Sequence, residues 1–414
     1  MKIPRDVPLT GRPAFWVMIV LGTGLLTFFL LVKKQAASDP ELLWREAEAD
    51  FLARHYDRAE TKLARLARLR EPTPLDRLLR AQVGMIRNRP EEVLADLAAV
   101  PDGHAMAPQA RLLAGQFELR RRRLRSAETL LRQALKLDPT LVQAHKELIY
   151  IYGMLLRRRE LNDAFRALGQ VAPLTYDNVF HWCLTRNSLW EPKEIVSDLT
   201  AFVQADPEDR WSRLALAETL RQLGRLEEAE QVLKPLSETD PEALAVRARI
   251  ALDRNDEAAV EAILDRGPSD HAELARIRGR LALAKQDVQA ALRAFRLAYK
   301  SDPDHRDSIA GLGQSLAMTG DTKAAAPYLA AARNHDALGT LMQRAATEAG
   351  RSDPALLRAL GSACEAIHRI PEARAWYELA IRGNPLDAES QKALFRLKDI
   401  AATAPKPSPS RTVE

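Results

Sequence analysis

The chain has 414 residues, of which 46% are apolar, 28% charged and 6% aromatic; this excludes wholesale disorder and leaves room for two or three ordinary domains or one extended array. Lys and Arg number 61 against 56 Asp and Glu, a formal net charge of +5 spread along the chain, so charge alone argues for no polyanionic partner. Cys183 and Cys364 are the only cysteines, far apart and without CxxC spacing, which excludes zinc ribbons, iron–sulfur ligation and a disulfide framework. Ala, Leu and Arg dominate, and as strong helix formers they predict an all-α protein.

Residues 1–13 read as a short polar tail, and residues 14–32, AFWVMIVLGTGLLTFFLLV, follow without one charge. As a helix this run would rise about 28 Å, enough to cross a bilayer core. Lys33 and Lys34 stand directly after it, where a signal-peptide cleavage region would prefer small uncharged residues, so a retained anchor is expected rather than a cleaved signal. Lys2, Arg5 and Arg12 before the span nearly balance Lys33, Lys34 and Arg45 after it. The amino terminus and the brevity of the tail tip the expectation toward an N-terminus in the cytoplasm and the remaining chain across the membrane. Residues 33–40 would be a juxtamembrane linker. Thr23 and Thr27 give one small-xxx-small pair, so pairing of the span into a homo-oligomer stays open.

From residue 39 onward the sequence is punctuated by Asp39-Pro40, Asp138-Pro139, Asp206-Pro207, Asp240-Pro241, Asp302-Pro303, Asp353-Pro354 and Asn384-Pro385. Pro207 and Pro241 are 34 residues apart, and Pro139 and Pro207 are twice that. The interiors align in the same register: Gly115, Ala127, Leu131, Ala134 and Pro139; Ala217, Gly224, Ala229, Leu233 and Pro241; Gly279, Ala291, Phe295, Ala298 and Pro303; Gly361, Ala373, Tyr377, Ala380 and Pro385; with Gly313, Ala325, Leu329 and Ala332 between the last two. These residues resemble the tetratricopeptide repeat (TPR) family, in which small residues on two helices let the backbones approach, a bulky residue fills the gap left by a neighbour, and a Pro ends the second helix. The resemblance implies a right-handed α-solenoid of about ten helix pairs over residues 41–401, with one quasi-linear core and a concave surface rather than a globule with a pocket. The pattern is irregular around 172–207, 242–268 and 338–352. A closing helix is expected near 390–401, and a Pro-rich disordered tail over 402–414.

Catalytic signatures are absent: there is no GxxxxGK[ST], HExxH or GxSxG, and no cofactor or metal site is expected. His181-Trp182-Cys183 is the single local cluster of reactive types, and adjacent residues on a helix point apart, so packing is the expected role. Two arginine runs, Arg120, Arg121, Arg122 and Arg123, and Arg157, Arg158 and Arg159, fall at equivalent places one unit apart and could form a basic ridge. Solvated complements to helix C-termini are the bland reading, and an anionic lipid or glycan binder is the alternative. Nucleic acid is disfavoured, because no aromatic residues interleave with these arginines.

In the TPR family, partner peptides lie along the concave face, and one class grips a C-terminal carboxylate with Lys and Asn on the first helix. Here those positions hold Leu112 and Gln116, Leu214 and Glu218, or Ala310 and Gln314, so that clamp is missing. Trp211, Glu218, Gln314 and Arg358 would face the groove, with Trp211 either an anchor or a residue packed on the neighbouring repeat. The expected function is that of a bacterial membrane-anchored scaffold, repeats on the periplasmic side of the inner membrane, holding proteins together in envelope biogenesis, secretion or complex assembly. An enzyme hidden in 172–207, dependent on His181 and Cys183, is the rival.

Overall fold

The structure, a computed structural model, describes residues 39–184 and 190–403, with side chains as far as Leu397. The expected transmembrane helix 14–32, most of the linker and nearly all of the C-terminal tail lie outside the described residues. Among those described, no helix is long and apolar enough to cross a membrane.

The described residues hold 22 α-helices and no strand: α1 (Pro40–Leu52), α2 (Tyr56–Leu69), α3 (Pro74–Ile86), α4 (Pro90–Ala98), α5 (Ala107–Arg120), α6 (Leu124–Leu137), α7 (Val142–Met154), α8 (Arg158–Val171), α9 (Tyr176–Cys183), α10 (Pro192–Ala205), α11 (Arg210–Gln222), α12 (Leu226–Leu233), α13 (Pro241–Asp253), α14 (Glu257–Arg266), α15 (Ala272–Ala284), α16 (Val288–Ser301), α17 (Arg306–Met318), α18 (Thr322–Ala345), α19 (Glu348–Arg351), α20 (Pro354–Ala366), α21 (Ile370–Gly383) and α22 (Ala388–Thr403). The described residues form two compact units, one as far as Phe117 with Lys136–Asp138, the other Glu118–Leu135 with Pro139 onward. In the first, Ala47, Ala59, Leu63, Leu79 and Val83 make a core shared by α1, α2 and α3. In the second, α7, α8 and α9 pack in succession, and α10 to α22 form helix pairs that each contact the pair before.

Helix starts explain the Asp-Pro dipeptides, and they fall into two kinds. At Asp39-Pro40, Asp240-Pro241 and Asp353-Pro354 the aspartate is the N-cap of a first helix and the proline its opening residue. Asp240 accepts from the amides of Glu242 and Ala243 at 3.0 Å, and Asp353 from Ala355 at 2.9 Å. Asp206, Asp302 and Asn384 instead cap the C-termini of second helices, and there, as at Asp138-Pro139 after α6, the proline follows a helix end. The expectation that proline terminates second helices therefore holds for one kind; the other starts the next helix, because proline's missing N–H costs nothing in a first turn.

The repeat is more regular in the backbone than in the side chains. Arg54, Asn88, Arg122, Leu156 and Gly224 have φ of 62°, 55°, 62°, 56° and 73°, with 34 residues between successive members of the first four and twice that to the last. Each stands just after a first helix, and the next amide bonds back five residues: Arg123 to Glu118 at 3.0 Å, Arg157 to Tyr152 at 2.9 Å, Arg225 to Leu220 at 2.9 Å. Holding a non-glycine residue left-handed costs about 1 kcal/mol, which the satisfied carbonyls and packed helix pair offset.

Close approach of helices rests on small residues. Phe295 of α16 fits between Gly279 and Gly311, where an added Cβ would lie 2.7 and 2.3 Å from the ring, and Tyr377 fits against Gly361 in the same way. Arginine has a comparable recurring task. Arg111, Arg247 and Arg278 each reach a carbonyl 14 residues upstream (Leu97, Leu233 and Leu264), covering the last turn of the preceding second helix. Part of the arginine richness is thus structural.

The second unit departs from a neighbour-only solenoid. α9, only eight residues long, packs against α8 and also against α18 and α21. Tyr176 Oη donates to the Ala345 carbonyl at 2.6 Å, Arg382 to that of Leu174 at 2.9 Å, and Asp177 pairs with Arg351. These contacts span 169 to 208 residues of sequence, so this unit closes on itself and the expectation of a quasi-linear core is corrected here.

Candidate functional site

Closure of the second unit creates a polar cavity of about 850 Å³, walled by α8, the α16–α17 turn, α18 and Arg369 at the head of α21. A second cavity of about 710 Å³ adjoins it and shares Asn162, Asp304, His335 and Arg369. At the floor Arg369 is paired with Asp304, Nη2 to Oδ2 at 2.7 Å and Nε to Oδ2 at 2.8 Å. Burial works against its charge, but Asp304 outweighs it and raises the Arg369 pKa. Arg158 donates to the carbonyls of Trp182 and Leu184 at 2.8 and 2.6 Å. Its pKa is lowered to about 10, first by burial and then by the nearby Arg369 charge. One nitrogen of each guanidinium, Nη1, is buried without a partner, as is Asn162 Oδ1. Such orphaned donors cost free energy unless an acceptor reaches them, and a carboxylate or peptide carbonyl has the right chemistry. Burial, then Arg369, holds the His335 pKa below its ordinary value.

The four residues anticipated for a groove are placed separately. Trp211 lies between two guanidinium groups, Arg157 at 4.7 Å and Arg210 at 4.5 Å from its ring centre, so it is engaged with the neighbouring pair. Glu218 is 7% exposed and belongs to an ion ladder across three first helices: Arg221 to Glu218 at 2.8 Å, Arg249 to Glu218 at 3.1 Å, Arg249 to Glu273 at 2.9 Å, and Arg276 to Glu273 at 2.6 Å. Burial opposes the Glu273 charge, yet Arg249 and Arg276 hold its pKa at about 2. Gln314 is exposed on α17. Arg358 pairs with Asp387 at 2.9 Å.

The two arginine runs do not make one solvated ridge. Arg157 is buried against Glu128 at 2.5 Å and Glu160 at 2.8 Å, and Arg158 is the cavity-floor residue already described. Arg159 alone of the second run is exposed, and it lines both cavities. Of the first run, Arg121 pairs with Glu118 at 2.7 Å and Arg122 approaches Asp198 at 3.9 Å; Arg120 and Arg123 are exposed. Trp182 stacks on Phe165 and Cys183 is wholly buried, in keeping with a packing role, while His181 is half-buried. Among the described residues no group of His, Cys, Asp or Glu is arranged to hold a metal ion. Sequence reasoning missed Asp304, His335 and Arg369, which come from separate elements; the one local signal was the arginine triplet containing Arg158.

Residues 191–250 match a tetratricopeptide repeat family model, and residues 243–306 and 278–339 match a second. Residues 191–339 thus carry tetratricopeptide repeats. Repeats of this kind generally mediate protein–protein interaction or complex assembly and are typically non-enzymatic. Similar solved structures include a tetratricopeptide repeat protein from Parabacteroides merdae (14% identity, 59% of this chain and 98% of that one, TM-score 0.30). The TPR domain of P58(IPK) is 15% identical over 89% of this chain and 100% of that one, with a TM-score of 0.27. A chain of the APC/C hetero-tetramer Cut9–Hcn1 is 12% identical over 87% and 90%, with a TM-score of 0.36. No curated protein matches the sequence significantly.

Proposed function

We propose that this protein is a membrane-anchored TPR scaffold, held by residues 14–32, that binds other proteins beside the bilayer in cell-envelope biogenesis, secretion or complex assembly. The N-terminus lies in the cytoplasm and the repeats in the periplasm of a bacterial cell. The observation that carries the binding role is the closure cavity, where Arg158 and Arg369 each leave a buried N–H without an acceptor. A partner segment presenting a carboxylate or free backbone carbonyls would satisfy them by drawing these guanidinium groups toward the cavity, with Arg159 at the rim adding attraction for acidic side chains. The uncharged run 14–32 and the lysines behind it support the anchor.

Two experiments test this reading. A reporter active only outside the cytoplasm, fused after Glu414, should work while a reporter active only inside should not; the reverse result overturns the orientation. A photo-crosslinking residue at exposed Gln343 in the cavity wall should capture a protein adduct that the same residue at exposed Leu386 does not. The adduct should weaken with Arg159→Glu. Equal capture from both positions would remove the cavity from the binding site.

A further inference from the structure

The only two cysteines of the chain stand 181 residues apart in sequence, yet their sulfurs meet at 3.9 Å. Cys183 closes α9 and Cys364 lies in α20, so the contact joins the two sides of the closure. Both are 0% exposed and both are free thiols. Trp376 of α21 donates its indole N–H to Cys183 Sγ at 3.1 Å, fixing that sulfur at the junction, and Tyr176 packs edge-on against the same indole. Reaching the bonded distance of about 2.05 Å needs the sulfurs to approach by about 2 Å, which side-chain rotation at two helix positions and a small helix shift can supply.

We propose that Cys183 and Cys364 are a modification site: a disulfide oxidant, either a protein disulfide or a low-molecular-weight one, converts them into an intramolecular disulfide that staples the closure of the second unit. One cysteine, as thiolate, attacks the oxidant disulfide and forms a mixed disulfide, releasing one oxidant thiolate. The other then attacks the sulfur of that cysteine and releases the second. Two protons leave the protein thiols and two electrons reduce the oxidant to two thiols, so the exchange balances. Either cysteine can make the first attack, and the other resolves the mixed disulfide. Because both sulfurs are covered, the oxidant gains access before α20 and α21 dock on α9, and docking brings the second cysteine to the mixed disulfide. The walls of the cavity are carried by the same junction, with Arg158 beside α9 and Arg369 beside α20, so the staple also fixes their spacing.

The experiment uses the full chain in detergent, unfolded in mild denaturant with reductant and refolded with oxidised or reduced glutathione. Trapped with an alkylating agent and digested without reduction, the oxidised sample should contain one cross-linked pair of peptides holding Cys183 and Cys364, lighter by two hydrogens. The oxidised protein should melt about 5–10 °C higher than the same protein after reductant, because closing a long loop lowers the entropy of the unfolded chain. The comparison needs no variant, and Cys364→Ala should remove both the cross-link and the shift. Two fully alkylated cysteines, glutathione adducts on single cysteines, or disulfide-linked dimers after refolding with oxidised glutathione would overturn the proposal. None of these readouts depends on membrane sidedness or on cavity binding, so they fail independently of the proposed function.

Discussion

Replacing Arg249 by Met removes the centre of the ion ladder while keeping most of its volume. The guanidinium lies between Glu218 and Glu273, at 3.1 and 2.9 Å, and its side chain is 23% exposed. Without it, two carboxylates remain on adjacent first helices with Arg221 and Arg276 as their only cations. Breaking a buried pair in this way costs about 3–5 kcal/mol at neutral pH. Glu273 makes the cost pH-dependent. Its carboxyl titrates at about 2 in the fold against an ordinary 4.5, held down by Arg249 and Arg276 against burial. That difference corresponds to about 3 kcal/mol of stability, present above pH 4.5 and lost as pH falls toward 2, because the unfolded chain takes up the proton first. The variant should therefore be strongly destabilised at pH 7, and the gap to the parent should shrink by pH 4. Urea unfolding at the two pH values measures both gaps, with amide exchange in α11, α13 and α15 as the local probe. A cost that is below about 1 kcal/mol, or unchanged between pH 7 and pH 4, would refute the argument that the ladder is a desolvated, charge-balanced element.

Gly311→Leu should unfold the α15–α18 region or lower its melting temperature sharply, since even a Cβ would lie 2.3 Å from Phe295; Phe295→Ala in the same chain should recover part of the loss, measured by calorimetry. Tyr176→Phe leaves the Ala345 carbonyl without its 2.6 Å donor and should cost about 1 kcal/mol, read as faster amide exchange confined to α9 and the end of α18. His305 and His335 are both held below their ordinary value, mainly by burial, so the unfolded chain binds protons there first. The stability they contribute is present above about pH 6.5 and lost as pH falls through their folded values. The melting temperature should drop between pH 7.5 and 5.5, and His335→Gln should flatten part of that slope.

The helical class, the 34-residue period and the small-against-bulky register were all readable along the chain, because each is set by residues within one repeat. Gly279 and Phe295 announce their contact by composition, and Asp240-Pro241 announces a helix start by its capping chemistry. The turn positions were only partly readable: Gly224 and Asn88 are types that favour a left-handed residue, whereas Arg54, Arg122 and Leu156 adopt the same φ with no local signal. There the helix pair dictates the conformation and the residue tolerates it.

What tertiary structure decided is where distant repeats meet. Each helix pair adds a small rotation to the next, and the sum over many pairs determines whether helices far apart in the second unit touch. No short stretch encodes that sum. The eight-residue α9 became a junction with α18 and α21, Arg158 moved from an apparent surface run to a cavity floor beside Arg369, and Glu218 passed from a groove candidate into a buried ladder. The two cysteines show the same division most sharply. Their number and separation belong to the sequence, but their 3.9 Å contact exists only because accumulated rotation carries α20 back onto α9.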